Sequence, residues 1–524
     1  MIIMKKISYS LVLIGSMVLI AGCNKFLDQK PLSQVSVSQF YKSKYDVDAA
    51  VAGMYSAFQQ QMIGDAQYKE RVLYWGDYRT DNFERFLSYT NNNTTEVTLN
   101  GITTDDEFAD WSGLYTVIGR ANSNIKYVAG AAATDIAVTQ AVIDKALTES
   151  YAIRAMCYFY IVRVWGDAPV WTEPYENVTQ DPEKARTAAD LVITENIIPD
   201  LTKAYGLIVK AQTPVVWSIN EGAICAMLAD VYMWKKDYAN AIVWINNLFK
   251  AKSPTGSVYT GTTGAFLQPG ATWKNIFTTP AASIESIWNI HWDFTKNACA
   301  CMITSFTANN KPIVVDQNLY NSWILPQTSV ATATGDIRPK QTLDAYTVTD
   351  PTKNLRDRFI KWYQSPVNPT AVPLAVDLAG YYNQTLPVYM PMYRLADIYL
   401  LYAEALNATN DLAGALKYLN FVHVRAGLPA YTAVNPLVAN QTAMLDAILL
   451  ERQWEFIGEG KRWFDLVRTN HVFSVMDPLL RKRQIAAGTA AADATGFADA
   501  RKILWPLTRA VLNANKKLVQ NPGY

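Results

Sequence analysis

An internal repeat constrains the fold of this chain more than any other feature of its 524 residues. Two segments align without a gap at an offset of 174 residues, and the aligned pairs are Ala229 with Ala403, Asp237 with Asp411, Ala241 with Ala415 and Asn246 with Asn420. Each copy reads as a helix with small residues, a polar turn with Asp, and a helix that resumes at Ala. Small residues let antiparallel helices approach closely, as in tetratricopeptide-type pairs. The alternative is a coincidence between two amphipathic hairpins.

Helical spacing also extends well beyond the repeat. Apolar residues recur three and four positions apart, as on one face of a helix, from residue 38 to 58 and in the stretches 111–128, 137–165, 193–207, 221–249, 393–424 and 442–467. Ser38 and Asp46 are candidate caps for the first stretch. The sequence therefore predicts a mainly α fold in which tetratricopeptide-like helical pairs form a frame.

The texture changes between residues 250 and 390. This region is rich in Gly, Pro, Thr, Asn and Trp, and it contains a β-like run at 286–292. Clusters of turn-forming residues between short apolar runs are typical of loops. We expect an irregular region of loops and short strands inserted into the helical frame.

The first 23 residues read as a leader. Lys5 and Lys6 precede an apolar run at 11–20, which ends in Ala21, Gly22 and Cys23. A basic start, an apolar middle and small residues before the cut make a secretory signal peptide, and a Cys in this place indicates a bacterial lipoprotein. The run is shorter than the roughly 20 residues of a transmembrane helix. We expect residues 1–22 to be removed, Cys23 to be lipidated, and residues 23–38 to act as a tether.

The other four cysteines do not form a disulfide scaffold. Cys157 and Cys225 lie in apolar helical contexts and are predicted to be buried thiols. Cys299 and Cys301 are separated by one residue, which allows a strained local disulfide, a metal half-site or two unpaired loop thiols. Because no second Cys pair or His cluster accompanies them, we favour unpaired thiols.

Composition and motifs argue against several classes of function. Lys and Arg total 47 against 46 Asp and Glu, so the chain has no electrostatic footprint for nucleic acid. The three histidines, His291, His423 and His471, are far apart in sequence and match no zinc-hydrolase pattern. Neither a nucleophile elbow nor a phosphate-binding Gly loop occurs. A glycosidase pair of carboxylates is spatial, so the sequence leaves it open. We expect no catalytic residues and no metal or cofactor, and the sequence leaves open whether a structural calcium braces the loops.

The segment from Glu451 to Arg468 clusters acids and arginines in a way that suggests catalysis. Its charges alternate in sign at helical spacing, and Trp454, Phe456 and Trp463 supply an apolar face. We therefore interpret the segment as ion pairs that lock two helices across a break at Gly458 and Gly460.

Aromatic residues give the most useful functional signal, since the chain has 30 Tyr and 15 Trp. Sugar rings dock their C–H faces on aromatic rings, while polar side chains at the rim bind the hydroxyls. Aromatics within the amphipathic helices, such as Tyr158, Phe159 and Tyr399, are predicted to be core. Aromatics in polar loops are candidates for ligand binding, and the candidate ligand-binding residues are Phe86, Tyr89, Asn92, Trp292, Tyr320 and Trp323.

Four ordered motifs behind the leader resemble one known family. They are Cys23 to Asp28 with Pro31, Arg154 to Tyr160 running on to Pro169, Arg394 to Ala405, and Glu451 to Arg468, and the chain closes on Asn521-Pro522-Gly523-Tyr524. In this order they are similar to the SusD/RagB family of outer-membrane lipoproteins of Bacteroidetes, over nearly the whole chain.

The resemblance implies a fold and a function. Such proteins have a frame of tetratricopeptide-like pairs that carries an irregular ligand-binding region, and they sit on the outer face of the outer membrane. They cap a SusC-like TonB-dependent transporter and deliver oligosaccharides, or sometimes peptides, without catalysis. On this basis residues 39–249 form an N-terminal helical region, 250–390 a loop-rich insertion and 391–524 a C-terminal helical region of one compact unit.

Two rival functions remain. A lipid-anchored hydrolase would turn its ligand over, and a tetratricopeptide-type adaptor would bind protein and no small ligand. The missing nucleophile and metal motifs count against the first, and the aromatic residues in polar loops count against the second.

Overall fold

The computed structural model describes residues 40–64, 69–86, 92–177, 179–300, 302, 312–328, 335–343, 356, 359–362 and 387–524. The leader, Cys23 and the tether therefore lie outside the described residues, as do Ser38, Tyr89 and Cys301. The described part is mainly helical, as the sequence predicts. None of its helices is both long enough and apolar enough to span a bilayer.

The helices of seven or more residues make up the frame. They are α1 (Lys44–Ile63), α2 (Asn92–Thr98), α3 (Ser112–Tyr127), α4 (Gln140–Trp165), α5 (Ile198–Leu207), α6 (Glu221–Trp234), α7 (Tyr238–Leu248), α8 (Leu395–Ala408), α9 (Leu412–Arg425), α10 (Gln441–Phe456), α11 (Arg462–Arg468) and α12 (Val472–Ala486). Shorter α-helical turns are Arg71–Gly76, Ala189–Val192, Asn275–Thr278, Phe294–Asn297, Gln317–Leu319, Leu325–Thr328, Arg338–Thr342 and Arg509–Ala514. Two π-helical turns occupy Ile193–Ile197 and Tyr320–Ile324. Turns of 3₁₀ helix occupy Glu107–Ala109, Val128–Ala133, Gly264–Phe266, Gly270–Thr272, Pro280–Ala282, Pro436–Val438 and Ala500–Ile503.

A capping box starts helix α1. The N-cap is Ser43, and its side-chain oxygen accepts from the backbone N–H of Asp46, while the Asp46 carboxylate accepts the Ser43 N–H at 2.8 Å. This reciprocal pair satisfies two of the backbone donors that a helix start leaves free. Asp46, expected from the sequence as a candidate cap, therefore acts as the third-position partner of the cap.

The internal repeat is confirmed as two helical hairpins. Helices α6 and α7 form the first, and α8 and α9 form the second, with every start at the offset of the sequence repeat. Asp237 caps α7 by accepting from the N–H of Asn240, and Asp411 caps α9 by accepting from the N–H of Gly414. The same residue type thus starts the second helix of both hairpins.

The turns within the hairpins share an unusual backbone conformation. Lys236 in the first turn and Asn410 in the second have φ of 59° and 67°, in the left-handed region. A third copy joins α11 to α12, where Asn470 has φ of 63°. One left-handed residue of this kind ends many helices and lets the chain reverse. The helices α11 and α12 lack the sequence similarity that the other two hairpins share, so this third turn is not part of the sequence repeat.

Two short antiparallel sheets each contain a strand of the inserted region. The run 286–292 is confirmed as strand β2 (Ser286–Trp292), which pairs with β4 (Val388–Arg394) so that Ser286 faces Arg394 and His291 faces Tyr389. Strand β1 (Phe83–Arg85) pairs with β3 (Ile313–Val315). Because β4 leads straight into α8, the β2–β4 pair fastens the insertion to the frame. The division of the chain into the predicted regions stays a prediction.

The core is rich in aromatic residues and runs through most of the frame. Tyr158, Phe159 and Tyr399 are buried in it, as predicted. Cys157 and Cys225 are buried free thiols, which confirms that prediction. Cys299 is disulfide-bonded, so the expectation of an unpaired thiol is wrong for this residue. The sequence alone could not decide among the three alternatives.

Candidate functional site

The segment 451–468 folds as α10 and α11, with a tight turn between them. Gly458 and Gly460 have φ of 78° and 70°. A Cβ at Gly460 would lie 2.6 Å from the carbonyl oxygen of Val72, so the turn needs glycine for space as well as for conformation. The predicted break between two helices is therefore confirmed.

Glu455 lies at the centre of a group of buried charges. Its side chain has no solvent exposure. One carboxylate oxygen, Oε1, accepts from Arg394 at 2.6 Å and also from Arg425, and Oε2 accepts from Arg338 at 2.9 Å. Three guanidinium groups thus share one carboxylate.

Further acids complete this group. Glu459 accepts from Lys361 at 2.6 Å and from Arg394 at 2.8 Å, and Glu285 accepts from Arg394 at 2.6 Å. We call the whole set the charge cluster, and its members are Glu285, Asp336, Arg338, Lys361, Arg394, Arg425, Glu451, Glu455 and Glu459. Buried charges are tolerated when they are paired and hydrogen-bonded in this way.

The pKa values fit a structural role for the charge cluster. Burial alone would raise the pKa of Glu455, but the charges of Arg425, Arg394 and Arg338 hold that pKa well below its usual range. Burial lowers the pKa of Lys361 to about 8, against the opposing pull of Glu459. A proton donor or general base would need a reachable group, and these carboxylates are enclosed.

The rest of the segment is paired as well. Arg452 donates to Asp465 at 2.8 Å, and Arg468 donates to Glu404 at 2.7 Å. Lys461 and Arg452 together lower the pKa of Asp397, although its burial acts in the opposite direction. The interpretation of 451–468 as a lock of ion pairs is therefore confirmed.

Two of the aromatic residues singled out from the sequence are buried. Trp292 is 4% exposed and its indole N–H donates to the carbonyl of Ala298 at 2.9 Å. Trp323 is 3% exposed, donates to Asp336 at 2.9 Å and stacks on Trp454. Neither ring offers a free face to a ligand, so their burial counts against ligand contact.

Of the other four candidate residues, two are at least partly exposed and two are not fully described by the structure. Phe86 follows strand β1 and is 38% exposed, and Tyr320 is half-buried at the start of the π-helical turn. Asn92 begins helix α2, but its side chain is not among the described parts of the chain, and Tyr89 lies outside the described residues. Ligand contact by these four residues stays a prediction.

The structure brings together a different group of aromatic rings. Trp217, His291 and Tyr389 are each half-buried, and their ring centroids lie 4.9 Å (Trp217 to His291), 5.2 Å (Trp217 to Tyr389) and 5.0 Å (His291 to Tyr389) apart. The interplanar angles are 35°, 36° and 49°. The three rings therefore form a tilted, partly exposed surface, which we call the aromatic face.

Polar side chains line one edge of the aromatic face. Gln59 of α1 donates to the carbonyl of His291, and the amides of Gln59 and Asn297 exchange two hydrogen bonds of 3.2 Å. Asn297 also accepts the backbone N–H of Asp293 at 3.1 Å. These bonds fix the amides beside the rings, where their remaining donors and acceptors suit hydroxyl groups.

Local electrostatics keep the aromatic face neutral. Burial lowers the pKa of His291 despite the opposing charge of Asp293, so the imidazole is uncharged at neutral pH. Burial and the Asp293 charge both raise the pKa of Tyr389. An uncharged aromatic surface with amides at its edge suits an uncharged, hydroxyl-rich ligand.

The alternation of side chains along strand β2 predicts part of this site from the sequence. Side chains alternate across a strand, so Trp292 and His291 must face opposite sides of β2. Trp288, Ile290 and Trp292 are buried, which leaves His291 on the outer side. Trp217, in the turn before α6, gave no comparable pattern. Across the described residues, no group of three His, Cys, Asp or Glu side chains is placed to hold a metal ion.

Comparison with known proteins agrees with the fold. The sequence profile of the SusD family matches residues 240–524, and a profile described as starch-binding, associating with the outer membrane, matches residues 25–233. A SusD-like protein of Formosa agariphila is 25% identical over 99% of both chains. A SusD-like protein of Bacteroides ovatus is 25% identical over 87% of this chain and 81% of its own.

Solved structures are similar over most of the chain. A laminarin-binding SusD-like protein superposes with a TM-score of 0.69 at 19% identity, over 92% of this chain and all of its own. NanU of Bacteroides fragilis gives 0.68 at 19% identity, over 94% and 99%. A SusD superfamily protein of Bacteroides vulgatus gives 0.71 at 16% identity, over 93% and 100%. At these sequence identities, the structural similarity is evidence for a shared fold.

Proposed function

This chain belongs to the SusD family, and from that membership and the aromatic face we propose that it binds oligosaccharides without cleaving them. The observation that carries the proposal is the aromatic face itself. Three rings 4.9–5.2 Å apart, half-exposed and uncharged, match the C–H face of a sugar ring in shape and polarity.

Binding would place a sugar against Trp217 and Tyr389 and its hydroxyls against the amides of Gln59 and Asn297. The two amides already hold each other in position at 3.2 Å, so little conformational entropy is lost when a ligand arrives. The name of the laminarin-binding neighbour and the starch-binding description of the N-terminal profile support a glycan over a peptide.

Two further parts of the proposal rest on the family. We propose that Cys23 carries the lipid that anchors the protein to the outer membrane, with the binding region outside the cell. We also propose that a SusC-like TonB-dependent transporter receives the ligand. The N-terminal profile is described as associating with the outer membrane, which supports the proposed location. The SusC-like partner rests on the resemblance to the family.

A binding role without catalysis is supported by the state of the acids. The carboxylates of the segment 451–468 lie in enclosed ion pairs, and Glu455 alone is shared by three arginines. The prediction that no cofactor is needed stays a prediction, as does a structural calcium.

Calorimetric titration of the full mature chain with β-glucan, α-glucan and peptide panels tests the ligand class. We expect binding to at least one glycan series and at least a tenfold loss of affinity on Trp217→Ala. The matched control is Trp244→Ala, which removes a half-buried Trp from α7, where it contacts Tyr205. Binding of peptides alone, or of no ligand in any series, would overturn the proposal.

Two experiments separate the rival functions. Chromatography of a glycan after incubation with the protein should show unchanged chain lengths, whereas shortening would indicate a hydrolase. Co-purification from membranes should recover a β-barrel transporter with the wild-type protein. A protein partner combined with intact function in the Trp217→Ala variant would indicate an adaptor.

A further inference from the structure

A cavity that shares no residue with the aromatic face lies between helix α10, helix α12 and the π-helical turn Tyr320–Ile324. Its volume is about 270 Å³, below the roughly 300–1,000 Å³ of sites for drug-sized ligands. We propose that this cavity, which we call the α12 cavity, is a separate site for one hydroxylated ring of the size of a monosaccharide.

The strongest observation is the state of Gln453 on α10. Its side chain lines the cavity and the residue is only 7% exposed. Within the described part of the chain its amide has no hydrogen-bond partner, and the amide is accessible from the cavity rather than sealed in the core, so a ligand can reach it. A ligand hydroxyl, which both donates and accepts, would satisfy this amide.

Helix α12 forms one wall of the cavity. Val475, Pro478, Leu479 and Lys482 line the cavity and follow the spacing of one helix face. Pro478 lies inside the helix and has no N–H to donate to the carbonyl of Ser474. Pro478, where this helical hydrogen bond is missing, is itself one of the lining residues.

Polar groups surround the remaining wall. Asp81 is held by two hydrogen bonds from Arg462, at 2.9 and 2.8 Å, which keep its carboxylate ionised and leave lone pairs for a hydroxyl. Asn318 and Ser322 contribute an amide and a hydroxyl beside the π-helical turn. π-Helical turns are frequent at functional sites.

These features select the ligand class. The amides and the hydroxyl both donate and accept, the carboxylates of Asp81 and Asp316 accept, and the ammonium group of Lys482 donates. Leu319 with Pro478 supplies a small aliphatic wall. A small ring with several hydroxyls and C–H faces fits that alternation, whereas a purely apolar ligand would leave Gln453 unsatisfied. The α12 cavity shares no residue with the aromatic face, so the inference stands independently of the proposed function.

Ligand-observed NMR on the full mature chain tests the proposal with glucose, galactose, mannose and N-acetylglucosamine as probes. We expect saturation transfer to at least one of these sugars with the wild-type protein. Gln453→Leu keeps the side-chain size but removes the amide, so binding should weaken at least tenfold. Because single sugars also fit the aromatic face, the cavity variants are compared in a Trp217→Ala background, in which saturation transfer should persist.

A milder pair of variants guards against misfolding of Gln453→Leu. Asn318→Ala removes an exposed amide of the cavity, and we expect a several-fold loss. Asn321→Ala removes an exposed amide from the same turn, outside the cavity, and should change nothing. The proposal is overturned if no single sugar binds, if binding survives both cavity variants, or if it disappears with Trp217→Ala.

Discussion

The two ends of the β2–β4 strand pair differ sharply. At one end, Arg394 faces Ser286 and enters the charge cluster, where it contacts Glu285, Glu455 and Glu459 without solvent exposure. At the other end, His291 faces Tyr389, and both rings are half-exposed on the aromatic face. The same hydrogen-bonded ladder therefore joins a buried, charged region to an open, uncharged one.

This difference separates stability from binding. Each charge at the buried end depends on several partners, so the loss of one leaves others uncompensated. Each ring at the open end contacts the two other rings and is partly exposed to solvent. We expect substitutions at the first end to lower the free energy of unfolding, and substitutions at the second end to lower affinity.

The largest effect should come from Glu455→Gln. The substitution keeps the shape but leaves Arg338, Arg394 and Arg425 without their shared carboxylate, so we expect a loss of about 3–5 kcal/mol in the free energy of unfolding. Urea unfolding measures this loss. The control Glu195→Gln, at an exposed position, should change stability by less than about 0.5 kcal/mol. A small effect of Glu455→Gln would contradict the division between the two ends.

The difference in unfolding free energy between wild type and Glu455→Gln should depend on pH. Because the arginines hold the pKa of Glu455 well below its unfolded value, its contribution is fully present above about pH 4.5 and is lost as the pH falls through the folded pKa. The gap in unfolding free energy between wild type and Glu455→Gln should therefore narrow between pH 5 and pH 3. A gap that stays constant over this range would show that charge is not its origin.

Trp217→Ala should act on binding rather than on folding. Removing the ring takes away two aromatic contacts at the open end, so we expect about 1 kcal/mol less stability. Glycan affinity should fall at least tenfold, which corresponds to about 1.4 kcal/mol. Calorimetry and urea unfolding on the same preparation measure both quantities. A loss of stability comparable to that of Glu455→Gln would show that the aromatic face belongs to the core.

Tyr389→Phe should give the smallest effect. The ring remains in contact with Trp217 and His291 and only the hydroxyl is removed. We expect less than a threefold change in glycan affinity, measured by calorimetry. If the loss matched that of Trp217→Ala, the tyrosine would act through its hydroxyl instead of its ring face.

Much of the frame could be predicted because it depends on local patterns. The helical stretches follow a 3.6-residue period, and the run 286–292 has the length and composition of a strand. The repeat predicts both hairpins. It does not predict the left-handed backbone at Lys236, because lysine has no preference for that conformation. Such a turn is set by the packing of the helices on either side.

The site was harder to predict because its parts are distant in sequence. Trp217, His291 and Tyr389 come from a turn and two strands, and only the pairing of β2 with β4 brings the last two together. Likewise, the segment 451–468 predicts ion pairs, but its partners Arg338, Lys361 and Arg394 lie far from it along the chain. Spatial pairing, rather than residue type, decided both cases.

The way the insertion is attached has a consequence for how such proteins diversify. The inserted region leaves the frame after α7 and returns at α8, and the ring of Phe249, directly after α7, packs against Tyr399 of α8 at a centroid distance of 5.9 Å. Its two ends are therefore neighbours, and the hairpins on either side keep the same turn geometry. Replacement of the segment by one of another length would therefore leave the joints of the frame in place, which makes this position tolerant of insertion and exchange.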